Sequence, residues 1–507
     1  MADNYLTLTQ VSNLSDLKEK IIYKCFEILP GFLSWGTLLA ALFLSIFQPV
    51  IVAVFIIIFD FFWLLRISYL SFHQTSSFGQ MVKNLKVDWR AKLEKLPQWR
   101  DIYHLVVLPM YQEEKEIVES SLQSLKEADY PKEKMIVVLT VEERGGEKAK
   151  EVAEVMEKEF GSVFFRFLTT FHPKDIEGEI AGKGSNLSWG LKQARERIID
   201  ELNLPYEKII VSNFDIDTRP YPQYFAILTW HYLTVKDPLR ASFQPIPIYN
   251  NNIWQAPSFS RVIATSGTFW QMMQQERPEQ LVSYSSHSLA FKTVIEVGYP
   301  ANMVSDDSRI FWKAYLHYDG KYRVVPLHYP VSMDAVMAKT LFRTVINQYK
   351  QQRRWAWGAE NIPYLLYGFL KNKKIPLRDK LRHTYIILDG FWVWATSALL
   401  IFFLGWLPLI LGSEDFQTSL LSYNLPRFTS YIMTLAMLGM LVSAIVSLQL
   451  LPPRPKKVSR WKSLSMVLQW FLLPFTLIVF GSFPALEAQT RLLFGKYLGF
   501  WVTEKAR

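Results

Sequence analysis

IIVSNFDID, residues 209–217, is an apolar run rich in β-branched residues that closes on two carboxylates, Asp215 and Asp217. Short runs of this kind, bounded by turn signals, read as strands buried on both faces. Two more lie upstream, LVVLP at 105–109 and MIVVLT at 135–140. Between the three, KEIVESSLQSLKEA (115–128) and EKAKEVAEVMEKEF (147–160) carry helical periodicity with opposite charges at i,i+4 spacing. Strands alternating with helices predict a doubly wound, Rossmann-like α/β domain over residues 73–380. Such sheets bind ligands beyond the carboxyl ends of their strands, so the residues just after each run are the first to inspect.

On both sides of this domain the chain becomes apolar. The longest uncharged run, 28–59, exceeds the roughly 20 residues needed to cross a hydrocarbon core. It is broken at Pro49, which predicts a helical hairpin over 31–72 preceded by an amphipathic segment over 1–30. Lys18, Lys20 and Lys24 before the hairpin, with Arg66 and Lys83 after it, put both its ends in the cytosol by the positive-inside rule. Further apolar stretches at 385–411, 428–451 and 464–483 predict membrane helices within 381–484, and the basic segment PPRPKKVSRWK (452–462) between the last two is expected to be cytosolic. Pro474 and Pro484 interrupt the last apolar region, and 485–498 is amphipathic with Glu487 and Arg491 one helical turn apart. Residues 485–507 are therefore expected to fold back along the cytosolic face as an interfacial helix and tail. The whole reads as a multi-pass protein of the plasma membrane with a cytosolic soluble domain.

Composition agrees with lipid contact: of 507 residues, 50% are hydrophobic, with 17 Trp and 35 Phe, too many for one soluble core. The net charge of +10 lies mainly beside the apolar runs, where anionic headgroups attract it. There is no zinc spacing, recognition helix or RNP-type aromatic pair, so nucleic acid is not an expected partner. Cys25 stands alone, which excludes an intramolecular disulfide and a cysteine metal site. Asp60 falls near the middle of the second span, where a carboxylate either faces a watery path or pairs with a polar neighbour.

Four features stand where a strand-end site needs them: Pro109-Met-Tyr111-Gln-Glu113 after the first strand, Glu142 and Glu143 after the second, Asp215-Ile-Asp217 closing the third, and, far downstream, Ser305-Asp306-Asp307 with Gln351-Gln-Arg-Arg354-Trp355. An Asp-x-Asp at a strand end can bring a hard divalent cation onto the oxygens of a diphosphate, although the same pattern also begins turns. Taken in order, and with Lys183-x-x-Asn186, these features resemble the processive family 2 glycosyltransferases, the class of cellulose, chitin and hyaluronan synthases. The resemblance spans roughly 102–361, and Gln351, Gln352, Arg354 and Trp355 match the family's Gln-(Gln/Arg)-x-Arg-Trp at every defined position.

The resemblance implies a GT-A domain inserted between transmembrane helices. It further implies an inverting transfer from a nucleotide-sugar, a UDP-sugar foremost, to a growing polysaccharide; the alternative is a single transfer to a membrane lipid. Carried onto this chain, it makes Asp307 the general base and Asp217, with Asp215, the holder of Mg2+ or Mn2+. Tyr111, Glu113, Lys183, Asp215, Gln351 and Arg354 would bind donor, with Glu142 or Glu143 substituting at longer reach for a family aspartate, and Trp355 would floor the acceptor site. Two departures stand out. Thr140-Val-Glu142-Glu143 replaces the family's nucleoside-binding aspartate, leaving the base open, and Ser283-Tyr-Ser-Ser-His287-Ser replaces a Phe-x-Gly-type acceptor segment, with His287 a candidate to line it. At the end, Phe500-Trp-Val-Thr503-Glu-Lys505 resembles the Phe-x-Val-Thr-x-Lys gating segment of cellulose synthases, which implies that Thr503 and Lys505 reach the diphosphate. A transporter would not need an insert of this size and would show paired halves. A dead scaffold would be expected to have lost some of Asp215, Asp217 and Asp307.

Overall fold

The computed structural model describes residues 4–501. Its centre is one eight-stranded sheet in the order β3-β2-β1-β4-β7-β6-β8-β5, with β1 (Tyr103–Met110), β2 (Met135–Glu142), β3 (Arg166–His172), β4 (Ile209–Asn213), β5 (Arg219–Pro220), β6 (Ala241–Ile248), β7 (Ser288–Ala290) and β8 (Arg323–Ser332). The first four form a parallel, doubly wound half, as the sequence predicts. Along β1, Val106 and Leu108 face helices Lys115–Glu127, Glu147–Phe160 and Tyr224–Thr234. Their neighbours Leu105 and Val107 face the opposite core, which holds helix Lys183–Ala194. The period of two along a strand thus divides one apolar run between two cores.

The other half is mixed. β7 is antiparallel to both β4 and β6, β8 is parallel to β6, and β5 is antiparallel to β8. The β6–β8 register shifts between Gln244 and Ile246, at Pro245, which has no N–H to give to the ladder.

Among the described residues five helical segments are long and apolar enough to cross a membrane: Leu17–Phe47, Pro49–Lys86, Leu377–Phe402, Leu420–Gln449 and Trp461–Leu493. Pro49 is the first residue of its helix, where its missing N–H costs nothing. The first two helices are longer than the expected hairpin because their outer ends dock on the α/β domain. Glu19 accepts from Tyr367 Oη at 2.9 Å, and Ser76 and Gln80 donate to Glu276 at 3.1 and 2.9 Å. Between helices, Thr429 Oγ1 donates to Asp60 Oδ2 at 2.8 Å, Arg66 pairs with Asp389, and Ser443 Oγ donates to Gln74 at 3.2 Å. Asp60 therefore has a polar neighbour.

The segment Trp461–Leu493 is not a uniform helix: α-helical turns alternate with 3-10 and π turns around Pro474 and Pro484. It begins against the α/β domain, where Gln469 Oε1 accepts from buried Arg261 at 2.6 Å and Trp470 stacks on Phe269. It returns there too, since Glu487 near its far end accepts from Tyr349 Oη at 2.9 Å and from Arg353 Nη1 at 2.6 Å. Its other side leaves Trp461, Leu468, Phe471 and Phe475 exposed.

Candidate active site

Lys183 is the point on which the chain's separate motifs converge. Its Nζ lies 2.6 Å from Asp215 Oδ1 and 2.9 Å from each carboxylate oxygen of Asp307, so residues 124 positions apart meet at one ammonium. Lys183 opens helix Lys183–Ala194, and the approach requires glycine on both sides of it. A Cβ on Gly184 would fall 2.7 Å from the Pro300 carbonyl and 2.9 Å from Asp306 Cβ, and one on Gly182 would fall 2.4 Å from the Phe500 ring. Asn186 ties the helix to the strand ends: its Nδ2 donates to the carbonyls of Thr140 and Met110 at 2.9 and 3.3 Å, and its Oδ1 accepts from Thr140 Oγ1 at 2.7 Å. Burial alone would lower the Lys183 pKa, but Asp215, Asp307 and Asp306 outweigh it and hold the ammonium charged.

The two acids of the downstream pair are not equivalent. Asp306 is buried, accepts from Tyr299 Oη at 3.0 Å, and has its pKa pushed up to about 7 by burial and then by the charge of Asp307. The Asp307 side chain is 23% exposed and faces Lys183. The Asp-x-Asp pair divides in the same way. Asp215 is 26% exposed and accepts from Ser285 Oγ at 2.6 Å, whereas Asp217 is fully buried and accepts the Asp334 backbone N–H at 2.8 Å.

Segment 283–287 wraps beneath these acids. Ser283 Oγ donates to the Asp307 carbonyl at 2.7 Å, and Ser286 is held at φ 64°, a left-handed strain of the kind found at functional sites. His287 has no exposed surface. Its Nδ1 donates to the Tyr284 carbonyl at 2.9 Å and lies 3.6 Å from Asp307 Oδ1, and burial lowers its pKa, which keeps it neutral. It thus reaches the cleft only from behind Asp307.

At the ends of β1 and β2 a second group forms. Glu113 Oε2 accepts the Tyr111 N–H at 2.7 Å, and Arg144 pairs with buried Glu142 and lies 5.6 Å from the Tyr111 ring. Burial raises the Glu142 pKa, with Arg144 opposing it. Glu143 points away and accepts the Lys174 N–H at 3.1 Å.

Helix Leu341–Ala356 carries the Gln-Gln-x-Arg-Trp residues. Gln351 is buried and accepts from Gln348, while the Arg354 guanidinium lies 4.8 Å over the Phe500 ring. Trp355 and Trp357 differ: Trp357 is buried and donates to Glu360 at 2.8 Å, but Trp355 is only half-buried, 6.2 Å from the Tyr249 ring. Tyr249, which no sequence pattern singles out, is half-buried near Asp215, Asp217, Asp307 and Arg354; desolvation first, then those acids, raise its phenol pKa. Tyr299 and Asp334 are equally hidden, being ordinary residues of loops and strand ends, whereas Ser283 and Ser285 fall in the 283–288 segment that the sequence marks as a whole. Thr503 and Lys505 lie outside the described residues, but Phe500 packs on Gly182 and Arg354, and Lys350 Nζ sits 3.4 Å from the Trp501 ring.

No cluster of three or more His, Cys, Asp or Glu able to hold a metal occurs among the described residues. Asp215 at the rim, with Asp217 beneath it, fits instead a cation of the Mg2+ type, which takes one or two carboxylates from protein and completes its shell from phosphate oxygens and water.

No family model matches the chain and no curated protein matches it. Among solved structures it is similar to the mannosyltransferase PcManGT from Pyrobaculum calidifontis in complex with GDP-Man and Mn2+, at 17% identity and a TM-score of 0.41, over 75% of this chain and 99% of that one. It is also similar to S. aureus TarS 1-349 in complex with UDP-GlcNAc, at 11% identity and a TM-score of 0.38, over 78% of this chain and 93% of that one. Superposition this loose decides neither fold nor activity, so the chemistry has to be read from Lys183, Asp215, Asp307 and their neighbours.

Proposed function

We propose that the protein is a membrane-embedded, inverting glycosyltransferase of the GT-A type and of family 2, which moves a sugar from a nucleotide diphosphate-sugar to an acceptor hydroxyl at a cytosolic site. The observation that carries this reading is the single ammonium of Lys183 shared by Asp215 and Asp307 at the carboxyl end of the parallel strands. Such a cluster suits a reaction that must stabilise a departing diphosphate on one side and remove an acceptor proton on the other. Asp307, the exposed acid of its pair, takes the proton from the acceptor hydroxyl as that oxygen bonds to the anomeric carbon. The bond to the diphosphate breaks on the opposite face, and the anomeric centre inverts. Lys183 balances charge on the diphosphate. Mg2+ or Mn2+ on Asp215 and Asp217, when bound, would neutralise more of that charge. Tyr111, Glu113, Glu142, Gln351 and Arg354 complete the donor side, and Trp355 with Tyr249 offers an aromatic face to the acceptor sugar. The test is release of nucleoside diphosphate from a panel of nucleotide-sugars by the purified chain. Absence of turnover with every donor, with and without Mg2+ or Mn2+, would overturn the reading.

The leading acceptor is a growing polysaccharide. Single transfer to a membrane lipid is favoured by one observation, the filling of space between the helices: Phe59 packs edge-on to Trp392 at 6.0 Å, and the Asp60 carboxylate is taken by Thr429. Product length separates the two readings, since polymer resists organic extraction and a glycolipid does not.

For topology we propose four crossings in the plasma membrane, with Trp461–Leu493 dipping into the cytosolic leaflet, where Ser482 donates to the Trp394 carbonyl, and folding back rather than crossing. Gln469 near its start and Glu487 near its end both bond to the α/β domain, and its exposed aromatic side suits an interfacial segment. This keeps the tail with the donor site, where Phe500 already covers Gly182, so that Thr503 and Lys505 can close over the diphosphate. A cysteine at Thr503 labelled only from outside would overturn this arrangement.

A further inference from the structure

Beside the first membrane helix the surface holds a groove of about 490 Å³ that the transfer chemistry leaves unused. Its walls are Trp35, Phe483, Leu486 and Phe494, and its rim carries Arg491 and Lys496. We propose that this groove binds one anionic phospholipid of the cytosolic leaflet, the phosphate at Arg491 and Lys496 and an acyl chain against the aromatic wall.

Three observations support this occupant. The first is depth. Glu27 is the last charged residue of helix Leu17–Phe47, and Trp35 follows it by about 12 Å of helix. From Phe32 onward that helix exposes Phe32, Trp35, Leu39, Phe43 and Phe47, a stripe continuous with the groove wall. Thr490 accepts from Trp35 Nε1 at 2.8 Å, Leu493 packs on Gly31 and Gly495 lies beside the Lys24 ammonium, so Lys496 stands at the headgroup level, Arg491 just inside it, and Phe483 deeper. The second is charge. Glu487, the acid of the groove, already receives Arg353 Nη1 at 2.6 Å, Arg491 Nε at 2.8 Å and Tyr349 Oη at 2.9 Å. Two cations and a phenol thus surround one carboxylate, and Lys496 adds a further charge with no side-chain hydrogen bond or ion pair among the described residues. The third is connection. Glu487 joins helix Phe483–Leu493 to Tyr349 and Arg353 on the helix that carries Gln351, Arg354 and Trp355, so a lipid that steadies Arg491 also steadies the helix of the proposed site.

The inference rests on the first helix lying in a bilayer, which flotation of the full chain with membranes tests separately, and its readout needs neither donor nor acceptor. The full chain is reconstituted in nanodiscs of phosphatidylcholine with a minor fraction of phosphatidylglycerol, re-extracted in mild detergent, and its retained lipid quantified by mass spectrometry. One phosphatidylglycerol per chain, enriched over the bulk ratio, is expected. Lys496→Gln and Arg491→Gln should each lower that enrichment about fivefold, and Lys496→Arg should keep it. Enrichment unchanged in both Gln variants would overturn the site. So would an equal loss in Lys456→Gln with Lys457→Gln, in the basic loop outside the groove, because retention would then follow overall surface charge.

Discussion

The parallel and mixed halves of the one sheet reach the same cleft by different means. In the parallel half, β1, β2 and β4 are continuous apolar runs, and the groups proposed to hold donor stand within a few residues of their ends: Tyr111, Glu113, Glu142 and Asp215. In the mixed half, β7 is three residues long and β6 is interrupted at Pro245, yet this side brings Ser283, Ser285, Tyr249 and Asp334 under the same acids. Regular elements set the proposed donor side by local pattern, whereas the other side of the cleft is assembled from loops held by single side-chain bonds. The division predicts that damage to each half has a different kinetic signature.

The largest effect is expected where the halves meet. Asp307→Asn should lower turnover by on the order of 1000-fold while leaving nucleotide-sugar affinity within a few-fold, as loss of a general base does. Asp306→Asn, whose side chain points to Tyr299 rather than the cleft, should lose less than tenfold. Steady-state release of nucleoside diphosphate, read beside calorimetric donor binding, checks both. A reversed order between the two variants would exchange their roles.

Next in size is the cation. Excess chelator should abolish turnover, and Asp217→Ala should move the metal concentration for half-activity up by roughly 10–100-fold. Asp217 is buried against Asp334, so if Asp334→Asn moves that concentration equally, the mixed half shares in the cation site. An unchanged metal requirement in Asp217→Ala would confine the cation, if any, to Asp215.

How much of this was legible follows the same division. The sequence predicts β1, β2 and β4, the helices between them and Pro49 as a helix break, because each is written in a window shorter than about 15 residues. It misses β3, where Arg166, Thr169 and Thr170 break the apolar run, as an edge strand allows. It also misses that Asp215 and Asp217 diverge, because what separates them is the Asp334 N–H, more than a hundred residues away. His287 is visible as a residue, but its burial behind Asp307 depends on the turn at Ser286, which no local pattern encodes. The fifth apolar segment has the composition of a span. Its contacts with Arg261 and Phe269 at one end and with Tyr349 and Arg353 near the other put both beside the α/β domain.

A smaller effect separates the two tryptophans of the Gln-Gln-x-Arg-Trp helix. Trp355→Ala should raise acceptor KM by about threefold to tenfold and leave donor KM unchanged, the loss expected for one aromatic face. Trp357→Ala should instead cost stability, by about 3–5 kcal/mol, since its ring is buried and its N–H holds Glu360. Acceptor titration against thermal unfolding distinguishes them, and a donor KM that rises in Trp355→Ala would move that ring to the other side of the cleft.

The smallest predicted effect is on stability against pH, and it comes from Asp306. Its carboxyl titrates at about 7 in the folded chain because burial and the neighbouring Asp307 both disfavour its charge. An unfolded aspartate titrates near 4, so between about pH 4 and pH 7 the native state keeps a proton that the unfolded state has lost. Stability from this group is therefore fully present below pH 4 and declines as pH rises through 7. Asn at 306 keeps an oxygen to accept from Tyr299 but has no proton to lose. The melting temperature of Asp306→Asn minus that of the parent should accordingly rise between pH 4 and pH 7 and flatten above it. A differential of about 1 kcal/mol corresponds to about 2–4 °C in a domain of this size. Parallel melting curves across that window would mean that Asp306 is ionised in the folded chain at neutral pH. Two adjacent charged acids would then face one lysine, and the distinction drawn between the inward and the outward member of the pair would fail.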